Sequence, residues 1–521
     1  VSPGKLPSTA DGSQLNGCKL ISDKHLPFGS TEKLLQPVDF GGAIGLASMN
    51  HCKTLACRNF SLSDKKYYLL QETDPSRPGL VCRECGAFPP LLNNQALLDE
   101  LSRTKLQDSG NLAACSNHDC ISFGKPVLTH RDLYHAFGYS GERQRYRCKH
   151  CQTTFVDKWS NANPKLDIQQ KLLGLIFTGH AVREICRKLA INPKSFYDHL
   201  SQIALRCRNK LAAVDARYIQ LCDSLPMAST IVPLQPNSKN GVNWLATGDA
   251  RYGYIFQQSL NYSPEESKPK NNENTPARCS RLMPDYFESP TEETIAEPSS
   301  LKDVVIAKYD DVMSRQNVED PYTKPVDINY PSVGSLIRPQ YTTYAHFLRL
   351  AESTADWKTV TLYLPQEPLL RSAIVSVFKT RMQNKSCHPI YVVQNADWEK
   401  PIPSEPIDIV LLSWWRDRWA FTKSGEGYKG VCHIGREVDS ERHWLEEAST
   451  ARLDEYQYRF HQCFKSVIDE PRRRLRPGGL LPLLDIYRAW SNLCHQNSGG
   501  TTPAQGLGLA RKPYSLADLL S

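Results

Sequence analysis

Cys52-Lys53-Thr54-Leu55-Ala56-Cys57 followed by Cys82-Arg83-Glu84-Cys85, and Cys115-Ser116-Asn117-His118-Asp119-Cys120 followed by Cys148-Lys149-His150-Cys151, are two copies of one pattern. Each is a Cys-x4-Cys pair succeeded at a distance by a Cys-x2-Cys pair. A phenylalanine stands three residues after the first pair both times, at Phe60 and Phe123, so the copies read as a duplicated unit. Zn2+ takes four thiolates tetrahedrally, and short knuckles of this kind deliver two sulfurs each from tight turns. The chain between them must then double back as a hairpin. The expected ligands are Cys52, Cys57, Cys82 and Cys85 for one Zn2+ and Cys115, Cys120, Cys148 and Cys151 for a second. Four sulfurs leave no position for water, so both ions are structural and contribute folding energy. His118, His130, His135 and His150 are alternative ligands, set aside because each unit already holds four sulfurs.

Working outward, 17 cysteines would suggest disulfides in a small secreted protein, but in 521 residues and gathered in pairs they favour metal and reduced thiols. No run of about eighteen uninterrupted apolar residues occurs, and Val1 to Ser30 lacks the charged-then-apolar layout of a secretory signal. The expectation is a cytoplasmic protein without a membrane partner. A net charge of +8 is only mildly basic. Its distribution says more: Arg143, Arg145, Arg147, Lys149 and His150 surround the last knuckle, and Arg472, Arg473, Arg474 and Arg476 form a second run. Either run is a solvated face or a nucleic-acid contact.

Beyond the cysteines the period changes. Leu166, Ile168, Leu172, Leu175 and Ile176 mark one helix, and Val182, Ile185, Cys186 and Leu189 a short second one. Ile191-Asn192-Pro193 supplies a turn with Asn192 as N-cap and Pro193 at the first helical position. The third helix buries Phe196, Leu200 and Ile203. This is a helix-turn-helix layout, with a plain three-helix bundle as the competing reading. The exposed face of the third helix is expected to carry Lys194, Ser195, Tyr197, Asp198, His199 and Gln202, types that reach base edges and phosphates.

From Tyr218 the pattern turns to strands: Tyr218 to Asp223, Ser229 to Leu234, Val242 to Thr247 and Tyr252 to Leu260. Pro264 to Ser300 reads as a surface insertion. A helix over Tyr344 to Glu352, a strand over Thr359 to Leu364, a helix over Leu369 to Met382, a strand over Pro389 to Val393 and a buried strand over Ile407 to Trp414 describe an α/β core with a mixed sheet. The tail from Ser440 is mostly helical.

The ribbon ending in Gln144-Arg145-Tyr146-Arg147-Cys148-Lys149-His150-Cys151-Gln152-Thr153-Thr154-Phe155, followed at once by a helix-turn-helix, resembles the DNA-binding half of bacterial insertion-sequence transposases. Val242 to Ile255, with Asn243-Trp244-Leu245-Ala246-Thr247-Gly248-Asp249 at its centre, looks like the second and third strands of their ribonuclease-H-like domain. Ile486-Tyr487-Arg488-Ala489-Trp490-Ser491-Asn492 and Thr502-Pro503-Ala504-Gln505-Gly506-Leu507-Gly508-Leu509-Ala510 look like their closing motifs. A second, upstream ribbon departs from the simplest members.

The resemblance implies a fold class and a division of the chain. The class is multidomain α/β, with tandem zinc ribbons, a helix-turn-helix, a ribonuclease-H-like mixed sheet with helices and a helical C-terminal tail. The divisions are a loosely ordered lead-in at 1–45, a first zinc ribbon at 46–110, a second at 111–160 and a helix-turn-helix at 161–212. A ribonuclease-H-like domain at 215–435 with an insertion at 264–330, and a helical region at 440–521, complete the chain. It also implies a chemical test. Such enzymes hold two divalent cations with three carboxylates, one on the first strand, one after the fourth and one on a late helix. Asp223 is the candidate for the first, Glu367 for the second, and Glu470 or Glu455 for the third, with Mg2+ as the ion if the centre is active. An aspartate is missing where the strand ending at Leu364 leads into Pro365-Gln366-Glu367.

Two readings follow. In the first, a transposase-derived protein binds double-stranded DNA through its zinc units and helix-turn-helix, using Arg143, Arg145, Arg147, Lys149, Lys194, Ser195, Tyr197, His199 and Gln202, and keeps a degenerate nuclease-like domain. In the alternative, an active transposase cuts and joins element ends. The family further implies a bacterial, nucleoid-associated location and assembly as a homodimer. An adaptor whose ribbons bind protein is a third possibility.

Overall fold

The computed structural model describes residues 35–521 except 72–78, 90, 110–111, 118, 129, 142, 158–162, 164, 239, 265–277, 280–299, 316–318, 320–333, 396–405, 436–439 and 469–474. Most of the expected lead-in therefore lies outside the described residues. So do much of the insertion, Glu470 and three of the four arginines in the run from Arg472.

The N-terminal part is built from small sheets. A two-stranded pair, β1 (Val38–Asp39) and β2 (Leu46–Ala47), precedes a hairpin of β3 (Tyr68–Gln71) and β4 (Gly79–Cys82). Helix α1 (Asn94–Ser109) follows and turns Ala96, Leu97 and Leu101 into the core. Next come β5 (Tyr134–Ser140), β6 (Arg143–Cys148) and β7 (Thr154–Val156), an antiparallel sheet in that order.

Three helices succeed them: α2 (Leu166–Phe177), α3 (Val182–Lys188) and α4 (Pro193–Leu221). Asn192 caps α4 through the Ser195 amide at 2.8 Å, with Pro193 in the first turn, as its sequence requires. At 29 residues α4 is about 43 Å long. The expected first strand, Tyr218 to Asp223, is instead the end of this helix and the turn after it. The apolar stripe Ile203, Cys207, Leu211, Val214 and Tyr218 continues at helical spacing, and Tyr218 stacks on Tyr254 at 5.4 Å. Packing of that stripe overrides the β preference of a few residues.

The central sheet has eight strands. An antiparallel meander of β8 (Met227–Pro233), β9 (Asn243–Asp249) and β10 (Ile255–Leu260) opens it. The short strands β11 (Tyr262–Ser263) and β12 (Arg278–Cys279) form a side sheet with β13 (Ser335–Ile337); between them in the chain lies α5 (Leu301–Ser314), capped by Ser300. Helix α6 (Pro339–Ser353) leads to β14 (Val360–Leu364), then α7 (Pro368–Val377), α8 (Lys379–Gln383) and β15 (Cys387–Gln394). Strand β14 runs parallel to β8 and β15 parallel to β14. The antiparallel strands β16 (Asp408–Leu412), β17 (Asp417–Ser424) and β18 (Gly427–His433) finish the sheet, whose order is β10-β9-β8-β14-β15-β18-β17-β16.

Two strand expectations change here. The run Ile407 to Trp414 is an edge strand rather than a buried one, with Ile409 and Leu411 exposed. The β17–β18 hairpin has no counterpart among the expected strands, because its glycine-rich turn, with Gly425 at φ +59°, sits among polar residues. Part of the expected insertion is ordered helix: the Tyr309 hydroxyl of α5 donates to Asp417 at 2.9 Å and accepts from the Trp419 indole at 3.0 Å.

The tail is helical: α9 (Glu441–Glu447), α10 (Ala451–Cys463), α11 (Lys465–Ile468), α12 (Pro477–Leu493), α13 (Pro503–Gly506) and α14 (Leu516–Leu520). Trp244 of β9 is fully buried against Phe460 of α10, ring centroids 5.0 Å apart, and truncating such a side chain costs about 3–5 kcal/mol. On α12, the Asn492 side chain accepts from Ile255 N and donates to Ile255 O, both at 2.8 Å, at a register shift in edge strand β10. Arg488 adds a bond to the same carbonyl and an ion pair to Asp215 of α4. The motif around Asn492 thus seals a sheet edge. No helix among the described residues is long and apolar enough to cross a membrane.

Candidate metal centres and nucleic-acid interface

The eight cysteines form two groups in which one sulfur from each residue lies within 4.8 Å of the others. In the first, Cys52 and Cys85 sulfurs are 3.5 Å apart and Cys57 and Cys82 3.7 Å. In the second, Cys115 to Cys151 is 3.4 Å and Cys120 to Cys148 3.7 Å. Four sulfurs each about 2.3 Å from a tetrahedral Zn2+ stand about 3.8 Å apart, so the donor set and spacing fit that ion. Both groups are consistent with structural metal sites.

The duplication extends to the backbone. Cys52 bridges Phe60 and Cys115 bridges Phe123 in the same parallel sense. The Asn59 and Ser122 amides donate to Cys57 and Cys120 sulfurs, both at 3.4 Å. A buried tyrosine, Tyr68 or Tyr134, stands opposite the third cysteine and accepts from the amide of the first. After the last cysteine the chain turns left-handed at Gly86 (φ +70°) and Gln152 (φ +62°). Burial holds the Cys52 and Cys115 thiols above their ordinary range and Cys57 at about 11. Burial opposes ionisation of Cys82 as well, yet donors from the Cys85 backbone and Asn59 bring it down to about 7. An ion bound by these sulfurs would displace protons from the thiols that burial keeps protonated.

The units differ in their surroundings. The first is bolted to the main core. Lys53 donates to Glu319 and to the Tyr344 hydroxyl of α6, both at 2.5 Å, the Asn50 side chain bonds the Leu92 backbone in both directions, and Met49 and Phe60 belong to the central apolar cluster. Each unit has a small core of its own, Cys52, Cys57, Tyr68, Leu80 and Cys82 in the first and Cys115, Cys120, Val127, Tyr134 and Cys148 in the second, but the second places no residue in the central cluster. A cleft of about 420 Å³ separates it from α4.

On the β5–β6–β7 sheet, Tyr134, Tyr146 and Cys148 face that core, and by strand alternation Arg143, Arg145 and Arg147 occupy the opposite face. Arg147 stands across from His135 and Thr154, and Arg145 across from Val156. The guanidinium carbons of Arg145 and Arg147 lie 5.7 and 5.3 Å from the Phe137 ring centroid. No carboxylate among the described residues forms an ion pair with these three arginines. Phe137 and Tyr139, both exposed, were not singled out by sequence; the pattern Phe137-Gly138-Tyr139 one hairpin turn ahead of the arginines is the signal that marks them. Lys149 and His150 are exposed on the knuckle, and His150 Nδ1 is 2.8 Å from the Ser122 hydroxyl.

On α4, Lys194, Tyr197, Asp198 and Gln202 are exposed, and Ser195 is half-buried. Gln202 accepts from Gln169 of α2 at 3.1 Å. His199, expected on the exposed face, is buried instead. It falls beside Leu200 on the stripe that packs inward, and burial, with Lys165 nearby, lowers its imidazole pKa.

The candidate catalytic acids are not gathered. Asp223 is half-buried in the turn after α4. Glu367 caps α7 and pairs with Arg315 at 3.1 Å and Lys308 at 3.6 Å. Glu455 lies on α10 between Arg452 and Arg459. Glu470 is outside the described residues. Among the described residues, the only groups of three or more His, Cys, Asp or Glu close enough to share an ion are the two cysteine sets. In the middle of β8 stand Ser229 and Thr230. Ser229 joins a buried chain through Thr247 (2.7 Å) to His346 Nε2 (2.8 Å), and His346 Nδ1 reaches Ser259 (2.9 Å). Thr230 donates to Gln457 of α10 at 2.7 Å.

Comparison of the chain with family models, with curated proteins and with solved structures returns no match.

Proposed function

We propose that this chain is a zinc-dependent, double-stranded DNA-binding protein of transposase descent, whose ribonuclease-H-like sheet serves as scaffold rather than catalyst. The row Arg143, Arg145 and Arg147, standing without carboxylate partners among the described residues on the open face of the second cysteine unit, carries this reading. Unneutralised guanidinium groups spaced along a rigid strand suit phosphates, and a structural Zn2+ would hold that strand in place through Cys148 and Cys151. Helices α3 and α4, joined through Leu189 to Asn192, supply a helix-turn-helix with Lys194 and Tyr197 on its open side.

The descent is supported by the strand order β10-β9-β8-β14-β15, three antiparallel and then two parallel, which is the ribonuclease-H-like arrangement. The scaffold role is supported by what occupies the three positions where the resembled enzymes hold metal. Strand β8 offers Ser229 and Thr230, the segment after β14 offers a Glu367 already neutralised by two cations, and the facing helix offers Gln457. Neutral amides and hydroxyls hold two divalent cations poorly.

Fluorescence anisotropy with a labelled duplex tests this. Zinc-loaded protein is expected to bind at low salt, to weaken steeply as salt rises, and to lose binding on chelation. Absence of duplex affinity at low salt would refute the DNA reading, and Mg2+- or Mn2+-dependent strand cleavage would refute the scaffold role.

A further inference from the structure

The β5–β6 hairpin has a feature that duplex binding leaves unused. Phe137 and Tyr139 are large aromatic side chains at the end of a hairpin, 44% and 69% exposed, flanked by Gly138 (φ +70°) and Gly141 (φ +62°). Strand β5 is exposed at every position from His135 to Ser140, with the Arg145 and Arg147 guanidinium groups beside Phe137, and Tyr139 is more open still. Beyond Ala136 the register with β6 shifts, and Tyr139 comes opposite Gln144. Phe137 is consequently associated with the arginines, while Tyr139 lies toward the strand position that alternates with them.

Behind the hairpin, the cleft of about 420 Å³ continues the same chemistry. Tyr146 lines it together with the cations Arg131 and Lys210, the carboxylate of Asp157 and the apolar Leu128. An aromatic ring and two cations in a space of this size suit a single nucleotide, with a π-face for the base and charge for the phosphate.

In an intact duplex the base faces are covered by their neighbours, and a ring on a protein surface reaches them only by unstacking a base step, at a cost of about a few kcal/mol. In a single strand they are open, and rings interleaved with arginines are the means by which proteins hold unpaired bases. We propose that the β5–β6 hairpin and the cleft behind it form a stacking site for unpaired nucleotides, so that the DNA partner is a junction between duplex and single strand. The proposal rests on the DNA-binding reading and specifies the state of the DNA. The arginine row supplies the charge complementarity that selects a polyanion as occupant.

Anisotropy with the zinc-loaded full chain and three labelled DNAs of common sequence tests it: a blunt duplex, the duplex with a single-stranded overhang, and the single strand alone. The overhang substrate is expected to bind about tenfold more tightly than the blunt duplex. Phe137→Ala and Tyr139→Ala should each remove most of that ratio, whereas Phe137→Trp, which keeps a ring, should preserve it. Because both residues are exposed, loss of fold does not confound the ratio, and unchanged zinc content verifies the unit. Equal affinity for blunt and overhang DNA, or a ratio insensitive to both alanine variants, overturns the stacking site while leaving duplex binding in place. Failure to bind any of the three DNAs overturns the DNA-binding reading itself.

Discussion

The ammonium of Lys53, one residue past the first cysteine of the first metal site, is 2.5 Å from the carboxylate of Glu319, and both side chains are buried. This pair ties the cysteine unit to α6, where the Tyr344 hydroxyl completes the group. Removing one member of a buried pair strands the other, at a typical cost of about 3–5 kcal/mol. Lys53→Met should therefore lower the melting temperature markedly, and Lys53→Met with Glu319→Gln should recover much of the loss in a double-mutant cycle. Additive losses in thermal unfolding would show that the two residues are not coupled.

The two metal sites should differ in what they hold together. Cys52→Ser breaks a unit whose Phe60 and Met49 belong to the central core, so main-domain unfolding should move to lower temperature. Cys115→Ser breaks a unit with a separate small core, and the main transition should stay near its original temperature while hydrogen exchange rises in residues 112–157. Each variant should bind one zinc in place of two by metal analysis.

Arg145→Ala and Arg147→Ala should each weaken duplex binding without regard to sequence and reduce the slope of log affinity against log salt by about one. An unchanged slope would remove that side chain from the phosphate contacts. His199→Ala acts on a buried residue and should show its effect in thermal stability.

Burial raises the Asp249 carboxyl from 3.8 to about 6, despite backbone donors from Tyr252 and Arg251. The fold favours the protonated form. The associated stability is fully present below the unfolded value and is lost as pH rises through about 6. Asp249→Asn keeps an acceptor for the same amides and should exceed wild type by on the order of 1–2 kcal/mol at about pH 8, with the gap closing as pH falls from about 6 to below about 4. Melting temperatures of both proteins across that window check the sign.

Glu367 should behave as a structural residue. Its carboxylate pairs with Arg315, whose side chain is almost wholly buried, and it caps α7. Glu367→Gln should cost about 1–3 kcal/mol in denaturant unfolding and leave DNA affinity unaltered. A stability equal to wild type would show that the two cations are satisfied without it.

Some of this was legible in local sequence because the physics is local. Paired cysteines at short spacing specify a four-sulfur site wherever the knuckles meet, and Asn192-Pro193 specifies a helix start through one cap bond and one fixed dihedral. The strands β9, β10, β14 and β15 followed from short β-prone runs and the turn residues around them. The end of α4 did not, since Tyr218 to Leu221 is helical only because Tyr218 finds Tyr254 and Phe256 to pack on. Nor did the edge position of Ile409 and Leu411, because an apolar run looks the same in a central strand and at a rim.

What sequence alone determined are the eight cysteines of two metal units, their repetition, and the basic character of the second, all properties of residues near one another in the chain. What only the tertiary structure decided is which unit is bolted down and which presents its arginines. That depends on Lys53 meeting Glu319 across 266 positions, and on Phe137 and Tyr139 being left exposed. Spacing dictates how a metal knuckle closes, but the surface it offers is set by whatever the rest of the chain packs against it.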